Sequence, residues 1–467
     1  MQTDCTPVQL EFQGLGRRRV EAAFDAGHVT SDAGGLLLRE AAGATRMMER
    51  IASCFDDARD PGRVEHGIAS LVAQRIYGLA LGYEDLNDHD QLRRDPLLAV
   101  LVGKVDPTGQ DRPRERDRGC ALAGKSTLNR LEQTPAEGHD RYRRMTYDAD
   151  QLDRLLVDLF LESYAHPPRQ IILDLDATDD PVHGTQEGRF FHGYYGHYCF
   201  LPLYVFCGEQ LLLSRLRPSN IDASAGTVEE LTPIVARIRA RWPRTQIVLR
   251  ADSGFARDEI MSWCEENGLD YVFGLAKNER LIRKIAREVK QARRRFGRTL
   301  HAARVFRAFP YRTRNSWSRS RRVIGKAEHL EKGSNPRFIV TSLAAVPPRA
   351  LYEDIYCARG EMENRIKEQQ LDIFADRTSA ATMQANQLRL YFSSFAYVLL
   401  QHLRRVGLRG TALARAQCGT IRLKLLKIGA LVSVSVRRIR FRLASGYPEA
   451  RLFAQILSNL RHARSPG

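Results

Sequence analysis

Apolar residues recur at helical spacing through the first third of the chain and at alternate positions just beyond it, so the sequence divides near residue 165. Between residues 64 and 102, Ile68, Leu71, Val72, Ile76 and Leu79 fall on one helical face, interrupted by an acidic run over 84–90. Residues 151–164 read as another amphipathic helix. The pattern predicts an all-helical region over 1–165, suited to partner recognition or dimerisation, with no secure helix-turn-helix. From 166 the period changes. Strands are predicted at 170–178, 199–207 and 210–216, then a helix at 228–242, a strand at 246–251, a helix at 257–267 and a strand at 270–274. Strands followed by alternating helix and strand make this an α/β fold.

Two predicted strands run from apolar to acidic. In the first, Ile172, Asp174 and Asp176 point one way, and Ile171, Leu173 and Leu175 the other. The second is apolar over 247–249 and ends at Asp252, just before a glycine that permits a tight turn. Open α/β sheets keep their sites at such strand ends. Taken singly, either aspartate reads as a turn or cap residue. A third acidic position lies far downstream, where Tyr356, Arg359, Glu363 and Lys367 are spaced by three, four and four residues. On a helix they share one face. A tyrosine, two cations and a carboxylate make a poor core stripe but a good surface for a metal and a phosphate. Asp176, Asp252 and Glu363 are therefore the candidate ligands for Mg²⁺, which takes hard oxygen donors. Asp174 and Glu361 are their nearest rivals.

Charge supports a polyanionic partner. The 467-residue chain carries a formal net charge of +17, and only ten of its 72 basic residues are Lys. Arginine binds phosphate bidentately and stacks on bases, which lysine does not. Part of the charge lies between Asp252 and Glu363, whose 110 intervening residues are too many for a direct connection. Residues 279–348 therefore read as an insertion. It opens with a basic helix carrying Arg283, Lys284, Arg287, Lys290 and Arg293 to Arg295. Strand-like alternation follows, with Phe306, Phe309, Tyr311 and Trp317 among arginines. Such interleaving suits backbone tracking with base stacking, with Trp317 the candidate stacking residue; the alternative is a solvated basic face over a small aromatic core. The helix carrying Glu363 is predicted to end near 372, and another to span 381–405. In the tail, Ile421, Leu423 and Leu425 alternate with cations, as do Ile439, Phe441 and Leu443. Both segments read as amphipathic strands within a basic region over 406–467.

Several function classes recede. No apolar run approaches the length of a membrane span, no basic-then-apolar leader opens the chain, and the cysteines are scattered without a Cys-x-x-Cys pair, as suits a reducing cytoplasm. Residues 119–126 satisfy the P-loop pattern, but the arginine-rich stretch before Gly119 cannot be the buried strand such a loop requires, so no nucleotide partner is expected. His183, His192, His197 and Cys199 match no common zinc spacing, and Tyr194, Tyr195 and Tyr198 suggest a packed β-turn region there.

The segments Leu-Asp-Leu-Asp-Ala-Thr around Asp176, Arg-Ala-Asp-Ser-Gly-Phe around Asp252 and Arg-Gly-Glu-Met-Glu-Asn-Arg-Ile-Lys-Glu around Glu363 together resemble the DDE transposases of bacterial insertion sequences. The last segment fits their Tyr-x2-Arg-x3-Glu branch, and the resemblance covers most of the chain. It implies a ribonuclease-H-like catalytic core over 166–278 and 349–405, interrupted by the 279–348 insertion. It also implies that Asp176, Asp252 and Glu363 bind catalytic Mg²⁺, with Mn²⁺ able to substitute, and that Tyr356 and Arg359 contact DNA near the scissile phosphate. Asp-x-Thr and Arg-x3-Glu select Asp176 and Glu363 over their rivals. The branch has a Lys where this chain has Gln370; Lys367, one turn closer, is the candidate replacement. The expected partners are double-stranded DNA, as the element's terminal inverted repeats and the target, and a second copy of the chain in a synaptic homodimer. The expected location is the cytoplasm, on the nucleoid. A metal-dependent nuclease that cleaves without joining, and a decayed transposase acting as a repressor, remain open on the residues alone.

Overall fold

The computed structural model describes residues 9–133 and 143–463. Parts of the expected 1–165 and 406–467 regions, namely 1–8, 134–142 and 464–467, lie outside the described residues. Contacts divide the described chain into two compact units, one running up to Tyr147 and resuming at Phe395, the other spanning Asp148–Ser394.

The second unit is organised by a nine-stranded mixed sheet. Its strands include β1 (Gln170–Ala177), β4 (Leu203–Cys207), β5 (Gln210–Arg215), β6 (Gln246–Ala251), β7 (Asp270–Leu275), β8 (Ala303–Tyr311), β9 (Arg321–Leu330) and β10 (Arg337–Thr341), in the order β5-β4-β1-β6-β7-β10-β9-β8. A separate hairpin, β2 (Phe190–His192) with β3 (His197–Phe200), lies between β1 and β4 in sequence. β1, β6 and β7 run parallel at the centre, where strands are buried on both faces and so read as near-continuous apolar runs. Leu173 and Leu175 of β1 are fully buried with Ile247 and Leu249 of β6, Phe160 of helix α1 (Ala149–Glu162) and Ile234 of helix α2 (Thr227–Arg241). Each such side chain contributes about 1.5–3 kcal/mol by leaving water. On the other face, Val248, Val272, Ile324 and Ile339 pack under Leu351 and Tyr352. That contact seats the helical segment leading to Glu363 against the sheet.

The segment between β7 and that helix continues the central sheet. β10 pairs antiparallel with β7, and β9 and β8 follow outward. Its aromatic residues fill core positions. Trp317 is 4% exposed, lies edge-on to Tyr311 at 5.8 Å and has the Arg321 guanidinium over its ring. The expectation that Trp317 stacks on a base is therefore corrected. Its indole is enclosed with Phe309 and Tyr311 in the main core, because the apolar side of β8 needs a cover that the basic residues cannot supply. The basic side chains of the helix Ala286–Thr299 stay outside, and only Ala292 among that helix's residues is fully covered.

The first unit is largely helical, with Ile68–Leu81 buried along most of its length. It also contains strands that the helical reading omitted. Leu10–Leu15 pairs with Arg18–Ala22 across a turn in which Gly16 adopts a φ of 62°. His28–Thr30 adds to the hairpin formed by Ala430–Ser435 and Arg438–Leu443. The strand expected around 421–425 is instead helical, Cys418–Ile421 running into a wide turn over Arg422–Leu426. Ile421, Leu425 and Leu426 are buried while Leu423 is 74% exposed, a pattern that follows the four-residue spacing rather than the alternation. Among the described residues no helix is long and apolar enough to cross a membrane.

Candidate active site

Hydrogen-bond ladders hold the two strand-borne aspartates. Asp176 is the penultimate residue of β1 and pairs with Tyr204 of β4. Asp252 follows directly on β6, which is parallel to β1, so both carboxylates leave the sheet at the same end. An Oδ1 of Asp252 accepts a hydrogen bond from the Gly254 amide at 2.8 Å, turning the chain sharply after the strand. This is the cap role that the simplest reading gives a strand-end aspartate, and it leaves the carboxylate at the site.

Asp174 has a different task. It faces Arg250 in register across the β1–β6 pair, and the guanidinium donates to both of its oxygens at 2.5 and 2.7 Å. Arg250 also donates to the Ile355 carbonyl at 2.5 Å. The buried pair thus ties β1 and β6 to the segment that precedes Glu363. Removing one partner of such a pair costs about 3–5 kcal/mol.

The third carboxylate arrives on a helix of changing pitch. Leu351–Tyr356 is a wide π turn, Cys357–Arg359 a tight 3₁₀ turn, and Gly360–Ile373 is regular α-helix. Local π turns inside helices often mark functional positions. Within this run Arg359 donates to Glu363 at 2.6 Å and lies 3.8 Å from Asp176. The Asp176 carboxyl is pushed up to about 7, first by burial and then by the negative charges of Asp252 and Glu363, with Arg359 opposing. Burial also raises the Tyr356 hydroxyl, which faces Arg359 and feels Asp252. Asp176, Asp252, Tyr356, Arg359 and Glu363 therefore form one electrostatic cluster. Among the described residues no group of three or more His, Cys, Asp or Glu is gathered closely enough to hold a metal ion; Glu363 is paired with Arg359.

The family profile described as Transposase DDE domain group 1 matches residues 12–465. The chain belongs to that family. Among solved structures it is similar to a chain of "piggyBac transposase synaptic complex with hairpin DNA", with 10% identity and a TM-score of 0.42, covering 85% of this chain and 80% of that one. No curated protein matches.

Other positions of this transposase fall into place around the cluster. Lys367 is exposed on the same helix, and Glu361 is exposed beside Glu363. Gln370, where the branch has Lys, donates to the Asp179 carbonyl at 3.1 Å and fastens the helix to the loop after β1. Gly274 of β7 is a residue the sequence reading did not single out. A Cβ there would stand 2.6 Å from the Tyr356 hydroxyl and 2.8 Å from the Ser253 amide nitrogen, so only glycine admits both. Its signal in the sequence was a glycine inside an otherwise bulky strand, which marks close approach of another group.

The resisted motifs have structural explanations. Lys125 opens a helix, Lys125–Glu132, whose first amide donates to Asp90 at 3.1 Å. The Lys125 ammonium reaches the same carboxylate at 3.3 Å and the Asn87 side-chain oxygen at 3.2 Å. A carboxylate thus caps the position that phosphates take in a P-loop. Among the described residues, the element directly before Gly119 is a 3₁₀ turn, Glu115–Asp117, and not a strand. Of the histidine group, His197 bonds Asp179 at 2.9 Å and His192 packs on Tyr195.

Proposed function

We propose that this transposase cleaves the ends of an insertion sequence and joins them to target DNA, with Asp176, Asp252 and Glu363 holding Mg²⁺, for which Mn²⁺ can substitute. The observation that carries the reading is the convergence of three carboxylates: Asp176 and Asp252 leave the parallel strands β1 and β6 at the same end, and Arg359, bonded to Glu363 at 2.6 Å, lies 3.8 Å from Asp176. An all-oxygen, anionic donor set of this kind fits a hard divalent cation. Bound there, such ions would activate a water or 3′-hydroxyl and offset charge on the leaving oxygen.

The chain's own residues have separable tasks. Asp176 and Asp252 present oxygens from strand ends whose positions the sheet sets. Glu363 completes the set after exchanging its bond to Arg359, whose guanidinium then pairs with a phosphate oxygen of the DNA. Tyr356 lies beside Arg359 and orients it. The order of β5, β4, β1, β6 and β7, antiparallel then parallel, supports a ribonuclease-H-like core over 166–278 and 349–405, with 279–348 inserted between. The helical part of 1–165 and the basic 406–467 region are assigned to DNA-end binding and pairing of two copies, and Lys367 to the DNA backbone beside the site.

The test is incubation with the DNA flanking the chain's own gene, with and without Mg²⁺. Metal-dependent cutting at the element ends followed by strand joining is expected. Cutting without joining would reduce the protein to a nuclease, and end binding without cutting to a repressor.

A further inference from the structure

Every residue from Phe190 to Tyr198 is aromatic, histidine or glycine. The segment forms the β2–β3 hairpin, with Phe191 opposite Tyr198, His192 opposite His197 and Gly196 at a φ of 76° in the connecting turn. Its rings are turned outward. Tyr194 is 86% exposed, Phe191 59%, Tyr198 47% and Phe190 42%. Soluble proteins expose concentrated apolar surface chiefly where something binds.

The rings are already arranged against one another. Phe191 meets Tyr198 edge-on at 5.6 Å, Tyr194 meets Tyr195 at 5.0 Å, and the Arg189 guanidinium lies 4.5 Å over the Tyr198 ring. The hairpin is also anchored beside the acidic strand end. β3 pairs with Asp180–Pro181, four residues beyond Asp176, and His197 holds Asp179. Tyr195 lies close enough to Asp179 and Asp176 to feel both charges, which, after burial, hold its hydroxyl up at about 12. The segment itself carries no aliphatic side chain. Flat rings with an adjacent guanidinium match the faces of nucleobases.

We propose that the β2–β3 hairpin is a base-stacking platform that receives unpaired nucleobases of DNA beside the carboxylate cluster, with Phe191 and Tyr194 as its principal stacking residues. It takes the role that the sequence pattern assigned to Trp317. The inference rests on the proposed reading of Asp176 as part of the cleavage site. Tyr198, under Arg189, holds the platform's edge, and Gly196, at a φ of 76°, forms the turn that carries the tip rings.

Photocrosslinking tests it without requiring catalysis. Duplexes covering the DNA that flanks the chain's gene, each with a short unpaired stretch carrying 5-iodouracil at a single thymine position, are irradiated with the protein in the absence of divalent metal. Crosslinks are expected to map to residues 190–198. They should fall about tenfold or more in the Phe191→Ala, Tyr194→Ala double variant and persist in Tyr194→Phe, which keeps the ring. Both positions are exposed, so the melting temperature should not change. Crosslinks mapping only elsewhere, or undiminished in the double alanine variant, would overturn the proposal. Unrelated duplexes in a parallel arm distinguish target DNA from the element ends as the source of the bases. Failure of the cleavage reading would show separately, as an intact crosslink on ends that are never cut with Mg²⁺.

Discussion

The site joins two kinds of support, strand ends and a helix. Asp176 and Asp252 leave adjacent parallel strands whose ladders continue on both sides, and the Asp174–Arg250 pair locks those strands together. Glu363 rides on a helix that changes from π to 3₁₀ to α pitch within three turns, and its carboxylate is 44% exposed and bonded to Arg359. The sheet therefore presets two carboxylates at an electrostatic cost, while the helix carries one that can be exchanged. The proposed active site thus has its repelling charges where the backbone cannot yield and its adjustable carboxylate where it can.

The largest expected effect separates the two supports by pH. Asp176 has a folded-state value near 7 against an ordinary value of 3.8, so the folded protein binds its proton more tightly than the unfolded chain does. In metal-free protein this group's contribution favours folding at low pH and is lost as pH rises from about 4 through 7. The change is at most about 4 kcal/mol. Melting curves in a chelator should show that slope flattened in Asp176→Asn, with the variant more stable than wild type at pH 8. Glu363→Gln should flatten it only slightly. Equal slopes in all three proteins would mean that Asp176 is not held as described.

A smaller effect probes how closely helix and sheet approach. Gly274→Ala places a methyl against the Tyr356 hydroxyl and the backbone at Ser253, an overpacking that costs about 1–3 kcal/mol. Cleavage should fall while binding to element ends persists, because the displaced groups, Tyr356 and the backbone at Ser253, border the carboxylate cluster. Unchanged cleavage kinetics would show that the approach is slack.

The smallest effect serves as a contrast from outside the comparison. Lys125→Ala removes a half-exposed ion pair with Asp90, worth at most about 1 kcal/mol. Strand transfer should stay within a few-fold of wild type, and calorimetry should detect no ATP binding. Saturable ATP binding that disappears in the variant would restore the P-loop reading.

The alternation in β1 was legible because Leu173 and Leu175 share the apolar face while Asp174 and Asp176 share the opposite one, which is also covered: Asp174 is 2% exposed. The distinction between those aspartates was not legible from the strand itself. It depends on Arg250, seventy-six residues away and brought opposite Asp174 only by the parallel register. The aromatics of β8 and the following loop misled for a related reason. Period and composition show that rings and arginines alternate, but burial is decided by which element covers them, and that cover comes from α-helix and sheet together. Ile421 and Leu425 fit both a strand and a helix, and their neighbour Leu426 settled the matter through packing. The aromatic hairpin was visible as composition, yet its exposure was a property of the fold.

The most direct test of the central claim is metal rescue at Asp252. Cleavage of element-end DNA is measured for wild type and for Asp252→Cys and Asp252→Asn, in Mg²⁺ and in Mn²⁺. A thiolate is a poor ligand for Mg²⁺ and a better one for Mn²⁺. The account predicts that both variants are inactive in Mg²⁺, that the cysteine variant alone regains cutting in Mn²⁺, and that end binding survives throughout. Near wild-type cleavage by Asp252→Asn in Mg²⁺ would contradict it.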